Sequence, residues 1–205
     1  MSELINHDYW MAKALELARE AGRAGEIPVG AVIVNQHQQI IACGANSKER
    51  TQDPTAHAEI VAIRCATHAL QDWHLNQCTM YVTLEPCPMC AGAILQARLK
   101  TLVYGTDDPK TGAIRTVINL PDSPASFHRL EVIAGVLQWE CQSLLQDWFR
   151  QLRQQKRKKT TAVWADPDTT TTEFATSSNP AVPSAGSFLD PNAVRQIQAC
   201  SLHSN

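Results

Sequence analysis

Thr79-Met80-Tyr81-Val82-Thr83-Leu84-Glu85-Pro86-Cys87-Pro88-Met89-Cys90-Ala91-Gly92-Ala93-Ile94-Leu95-Gln96-Ala97-Arg98 changes its conformational preference partway along. Thr79 to Leu84 is a compact β-rich run and reads as a strand. Ala91 to Arg98 has strong helix-forming composition, and a proline beside the cysteines suits a first helical turn. The segment therefore predicts a strand that hands over to a helix at Cys87 and Cys90. A strand feeding directly into a helix is the building unit of a layered α/β domain.

Outward from this switch the same alternation continues. Toward the C-terminus come a strand over Leu99 to Tyr104, a polar loop over Asp107 to Gly112 and a last strand over Leu130 to Val136. A helix from Gln138 to about Gln155 follows, with Cys141, Leu144, Leu145, Trp148, Phe149 and Leu152 on one apolar stripe. That stripe assigns Trp148 and Phe149 to the core rather than to a base-stacking platform. Toward the N-terminus, Thr55 to Leu70 predicts a helix capped by Thr55 or Asp53, with Ile60, Ile63, Thr67 and Leu70 along one face. A loop with Asn46 and Asp53-Pro54 precedes it. Val29 to Val34 and Gln39 to Cys43, separated by the polar Asn35 to Gln38, predict a hairpin. Asn6 to Gly25 spaces Met11, Ala14, Leu15, Ala18 and Ala21 as the buried side of an amphipathic first helix. Strands interleaved with helices give the expected class, α/β, one sheet flanked by helices.

A chain of 205 residues, 44% of them hydrophobic, can bury one sizeable core with an appendage. The expected division is a catalytic domain over 1–159 and a tail over 160–205, where Thr169 to Thr172 and a Ser, Asn, Pro and Ala bias predict disorder. A net charge of -2 supplies no global electrostatic case for a nucleic-acid partner, so any such case must be local. The seven cysteines are scattered apart from the Cys87/Cys90 pair, which fits reduced thiols better than a disulfide framework. Met1 to Asp8 carries no signal-peptide pattern and no stretch approaches a membrane span, so a soluble cytoplasmic protein is expected.

His57-Ala58-Glu59 and Pro86-Cys87-Pro88-Met89-Cys90 together carry the chemistry. Cysteines three apart at a helix start share a face, and the positive end of the helix dipole favours the thiolates that a metal requires. With His57 they make three ligands for one zinc ion per chain, leaving a fourth tetrahedral position for water, the arrangement of catalytic rather than structural zinc. Zinc lowers the pKa of such a water to roughly 7. Glu59, two residues beyond His57, is placed to carry protons without occupying a coordination position. The remaining cysteines lack paired spacing and are read as packing residues. Among the other histidines only His128, beside Arg129, is a candidate RNA contact. Arg150, Arg153 and Lys156-Arg157-Lys158-Lys159 gather positive charge where the domain ends, either to meet RNA phosphates or as a solvated helix end.

His57-x-Glu59 followed by Pro86-Cys87-x-x-Cys90 resembles the zinc deaminase signature. The likeness extends through Ile27-Pro28-Val29-Gly30-Ala31-Val32, Asp53-Pro54-Thr55-Ala56-His57-Ala58-Glu59, Leu84-Glu85-Pro86-Cys87, Cys90-Ala91-Gly92-Ala93 and Lys110-Thr111-Gly112. Over about residues 6 to 155 the chain resembles the bacterial tRNA adenosine deaminases of the cytidine deaminase superfamily. That resemblance implies a three-layer α/β/α fold around a mixed sheet of about five strands. It implies a homodimer that converts the wobble adenosine of an arginine tRNA anticodon to inosine, with zinc-activated hydroxide attacking C6 and Glu59 moving protons. It further implies that Asn46 hydrogen-bonds the flipped base, Val29 lines its pocket, the backbone at Ala58 reads a base edge and Asp108 lies near the ribose. The signature is shared with deaminases of free guanine or cytosine, which makes a free-base enzyme the alternative. A non-catalytic tRNA-binding subunit is the other, and Glu59 speaks against it.

Overall fold

The computed structural model describes residues 6–164, the last of them, 158–164, by backbone alone. The elements in chain order are α1 (His7–Arg23), β1 (Gly30–Val34), β2 (Ile40–Ala45), α2 (Lys48–Thr51), α3 (Ala58–Leu70), β3 (Thr79–Leu84), α4 (Pro88–Gln96), β4 (Thr101–Thr106), β5 (Glu131–Ala134) and α5 (Gln138–Trp164). The five strands form one sheet in the order β2-β1-β3-β4-β5. β1 pairs antiparallel with β2 and β3, whereas β3–β4 and β4–β5 are parallel, so the sheet is mixed as the resemblance implies.

Side-chain alternation along the strands divides the interior into two layers. Ala31, Ile33, Met80, Val82, Leu102 and Tyr104 point to the layer shared with α3 and α4. Val32, Val34, Tyr81 and Val103 point the other way, to Met11, Ala14 and Leu15 of α1 and Cys141 of α5. Helices therefore cover both faces, which is the expected α/β/α sandwich.

The second helix departs from expectation in which face it buries. Ala58, Ala62, Cys65 and Ala66 are buried, while Ile60, Ile63 and Thr67 are half-buried and Leu70 is exposed. The reason is close approach: a Cβ on Gly44 of β2 would lie 2.7 Å from the Ala62 amide nitrogen, so only small residues fit between α3 and the sheet. Neither Thr55 nor Asp53 caps the helix. His57 is its N-cap residue, and the Asp53 carboxylate instead accepts from the amide (2.8 Å) and hydroxyl (2.6 Å) of Thr55.

Three other boundaries move. Residues 48–51 form a helical turn where the sequence predicts a loop. The helix after the cysteines begins earlier, with Cys87 as N-cap and Pro88 in its first turn. The last helix continues through Trp164, beyond Gln155 and the expected boundary at 159, because nothing between Gln138 and Trp164 is a proline or glycine. From residue 165 onward the expected tail lies outside the described residues. Among the described residues no helix is long and apolar enough to cross a membrane.

Candidate active site

Two helix starts converge at the sheet's end. His57 is the N-cap of α3 and Cys87 the N-cap of α4, with Cys90 in the first turn of α4. The Nδ1 atom of His57 lies 3.8 Å from Cys87 Sγ and 3.6 Å from Cys90 Sγ. All three donor atoms stand within 4.8 Å of one another. Tetrahedral zinc with ordinary Zn–S and Zn–N bonds sets its nitrogen and sulfur ligands about 3.6 Å apart. The donor set and its spacing therefore fit a zinc ion, with His57 binding through Nδ1.

The electrostatics agree with a site built for a cation. The Cys87 thiol is pulled down to about 4, chiefly by the hydrogen bond from Cys90, with burial opposing and His57 assisting. Cys90 is pushed upward because it keeps the proton it shares with Cys87 and is buried. The hydrogen bond with Cys87 raises His57, against its partial burial. Glu59, 4% exposed in the first turn of α3, is raised above the usual carboxylate range by burial, with the charge of Cys87 adding to it. It does not belong to the three-donor cluster.

His57, Glu59 and Cys87 open onto a cavity of about 480 Å³ whose wall also includes Val29, Asn46, Glu85, Asp108 and Thr111, while Cys90 lies buried behind them. Val29 is buried. Asn46 Oδ1 accepts the Ala58 amide proton at 2.9 Å, and the backbone N–H of Asn46 donates to the Val29 carbonyl at 3.1 Å. The Ala58 N–H is thus spent on Asn46. Asp108 Oδ1 accepts from the Lys110 amide at 2.9 Å and Oδ2 from the Thr111 hydroxyl at 2.7 Å.

The cavity corrects the reading of the last helix. Trp148, Phe149 and Leu152 of α5 line it, so this end of the apolar stripe is a pocket wall rather than core. Trp148 donates its indole N–H to the Gly22 carbonyl at 3.2 Å and meets Phe149 edge to face, ring centres 5.0 Å apart. Arg150 and Arg153 are exposed on the same helix, Arg150 paired with Asp147 at 2.9 Å. His128 lies elsewhere: its ring meets the Leu99 carbonyl at 2.5 Å and lines a separate groove with Trp73 and Arg98.

Two buried acids at the cavity were not singled out from sequence. Glu26, 2% exposed, accepts from the amides of Glu49 (3.2 Å) and Arg50 (2.8 Å) and so holds the start of α2. Glu85 is equally buried; desolvation pushes its carboxyl up, but donors from Thr116, Arg115 and Asp108 outweigh this and hold it below the usual range. For Glu85 the available signal was an acid between Leu84 and Pro86 at the end of an apolar strand, a position that demands partners; Glu26 carried none.

A mixed five-stranded sandwich with a His/Cys/Cys cluster and a buried glutamate at one cavity defines a deaminase-type site. The MafB19-like deaminase family matches residues 5–153. A tRNA-specific adenosine deaminase from Haemophilus influenzae is 49% identical over 147 residues, covering 72% of this chain and 85% of the relative. One from Bacillus subtilis is 43% identical over 154 residues, covering 75% and 95%. A solved structure from a study of A-to-I editing by tRNA:A34 deaminases at the wobble position superposes with a TM-score of 0.65. It is 42% identical and covers 67% of this chain and 99% of its own. Within the deaminases, the chain belongs to the tRNA-specific adenosine deaminase family.

Proposed function

We propose that the protein hydrolyses the wobble adenosine of a tRNA anticodon, that of an arginine tRNA, to inosine and ammonia. The observation that carries this reading is the convergence of His57, Cys87, Cys90 and the buried Glu59 at one cavity, in a chain akin to enzymes of that name. One zinc ion per chain, held by His57 Nδ1 and the two thiolates, supplies Lewis acidity that makes water a nucleophile near neutral pH.

The chain's own residues supply the rest. Glu59 takes a proton as water adds to C6 of the adenine and passes it to the ring nitrogen N1; it then takes the proton of the new C6 hydroxyl and delivers it to the departing amine, so that the C6–N bond breaks, ammonia leaves and C6 becomes a carbonyl. Its burial, which raises its proton affinity, suits that exchange. Asn46 orients the base: with Oδ1 occupied by the Ala58 amide, its Nδ2 protons are the ones left to donate. The part assigned to Ala58 is therefore indirect, through Asn46. Val29 packs against the base, and Asp108 lies near the ribose, where a 2′-hydroxyl distinguishes RNA from DNA. Phe149, 37% exposed at the cavity, offers a flat apolar wall to an unstacked base.

RNA phosphates meet Arg150 and Arg153, on the helix that also walls the cavity. His128 is the weaker RNA contact, because its ring is bonded to Leu99. The enzyme works as a homodimer in the cytoplasm, with residues 1–159 as its catalytic domain. Exposed Trp73 and Phe127, which line one groove, support a second copy, since exposed apolar surface marks an interface. The substrate is tested by incubating purified protein with an arginine tRNA carrying a wobble adenosine, alongside free adenine, guanine, cytosine and their nucleosides. Inosine in the tRNA alone is expected. Deamination of a free base or nucleoside with untouched tRNA overturns the substrate assignment.

A further inference from the structure

We infer that Glu85 is a positioning residue, a buried anchor that folds residues 107–116 against the cysteine turn and so sets the cavity wall bearing Asp108 and Thr111. Its carboxylate accepts from the amides of Asp108 (3.0 Å), Ile114 (3.1 Å), Arg115 (2.8 Å) and Thr116 (3.0 Å), and from the Thr116 hydroxyl. The side chain is 2% exposed. A carboxylate offers about four lone-pair positions, so these donors saturate it. A saturated carboxylate has no site left for substrate, which makes Glu85 a scaffold and not a proton carrier.

The segment it organises has no strand or helix of its own, so its amides depend on such an acceptor. Burying a charge is costly unless it is multiply hydrogen-bonded, and multiple charge-assisted bonds hold both partners tightly. The anchor is also fixed at the other end. The Glu85 amide donates to the Thr106 carbonyl at 2.8 Å, and the Ala113 amide donates to the Pro86 carbonyl at 2.9 Å, one residue before Cys87. Movement of the segment is thereby tied to the turn that carries the Cys87 thiol.

Gly112 provides a separate observation. A Cβ there would lie 2.5 Å from the Glu85 carboxyl carbon and 2.6 Å from the Asp108 carbonyl oxygen, distances that real side chains do not show. Carboxylate and segment are packed so closely that any side chain at 112 must displace one of them. Glu85 and Gly112 thus act as one latch, which Glu85→Gln opens by losing acceptors and Gly112→Ala by occupying the space.

The kinetic half of the test rests on the deaminase reading, whereas the structural half does not. Both variants are made in the full-length, zinc-loaded chain and compared with wild type by amide hydrogen exchange, zinc content and steady-state deamination of the tRNA. Faster exchange is expected across 107–116 in both, with the strands β1, β3 and β4 still protected and one zinc retained. kcat/KM is expected to fall by about tenfold or more, with most of the change in KM. Unchanged exchange over 107–116 in both variants overturns the inference, as does faster exchange with unaltered kinetics. Loss of protection across all three strands in both variants also overturns it, by assigning Glu85 to global stability. Should wild type leave tRNA untouched, the substrate reading fails while the exchange data still decide whether Glu85 anchors the segment.

Discussion

In the proposed mechanism Glu59 and the three proposed ligand residues divide their labour by position. His57, Cys87 and Cys90 sit at or beside helix N-caps, where backbone amides and helix dipole favour negative sulfur. Glu59 lies one residue inside its helix and outside the donor cluster. Glu59→Ala is expected to keep one zinc per chain yet lower kcat by about a hundredfold to ten-thousandfold, the range of a lost general acid–base. Metal analysis and single-turnover inosine formation on the same preparation check both halves. Cys87→Ala is expected to behave oppositely: zinc content falls well below one per chain and activity follows it, because a site with one thiolate and one imidazole is incomplete. These four residues were legible in the sequence because each signal is local, within a few positions of a helix start. Glu85 and Glu26 were not, because their partners lie 23 or more residues away in the chain.

Elements place these groups through packing that composition only partly discloses. Apolar spacing located α1 and the strands, and the proline-flanked cysteines located α4. It did not reveal which side of α3 faces the sheet, since the larger residues lie outward and alanines lie inward. What decides this is Gly44, whose missing side chain lets α3 settle on β2. Gly44→Ala is expected to destabilise the fold by about 1–3 kcal/mol, the usual cost of overpacking, seen as a lower midpoint in urea denaturation with an unchanged slope. Because α3 also carries His57 and Glu59, zinc affinity should fall with it. The α5 stripe shows the same limit of sequence reading. Cys141 and Leu145 are buried as expected, but farther along the stripe runs off the core and onto the cavity, with Trp148, Phe149 and Leu152 as its wall. Apolar periodicity reports a covered face without saying whether protein or ligand covers it.

At the scale of the whole molecule, every proposed base, ribose and metal contact falls between Val29 and Cys90 or in the segment around Asp108, with Phe149 as the last wall residue before Leu152. Truncation after Lys159 is therefore expected to leave zinc content and kcat/KM on tRNA nearly unchanged, and a steady-state comparison with the full chain checks it. The salt dependence of tRNA binding should weaken when Arg150 and Arg153 are replaced together by glutamine, since each lost phosphate contact reduces the slope of log K against log salt by roughly one. The measurement that bears most directly on the account is inosine mapping, with ammonia release, on an arginine tRNA incubated with zinc-loaded wild type and with the Glu59→Ala variant. The account predicts inosine at the wobble position alone, one ammonia per inosine, in wild type and almost none with the variant. Equal inosine from both proteins, or ammonia from free nucleosides with the tRNA unedited, would contradict it.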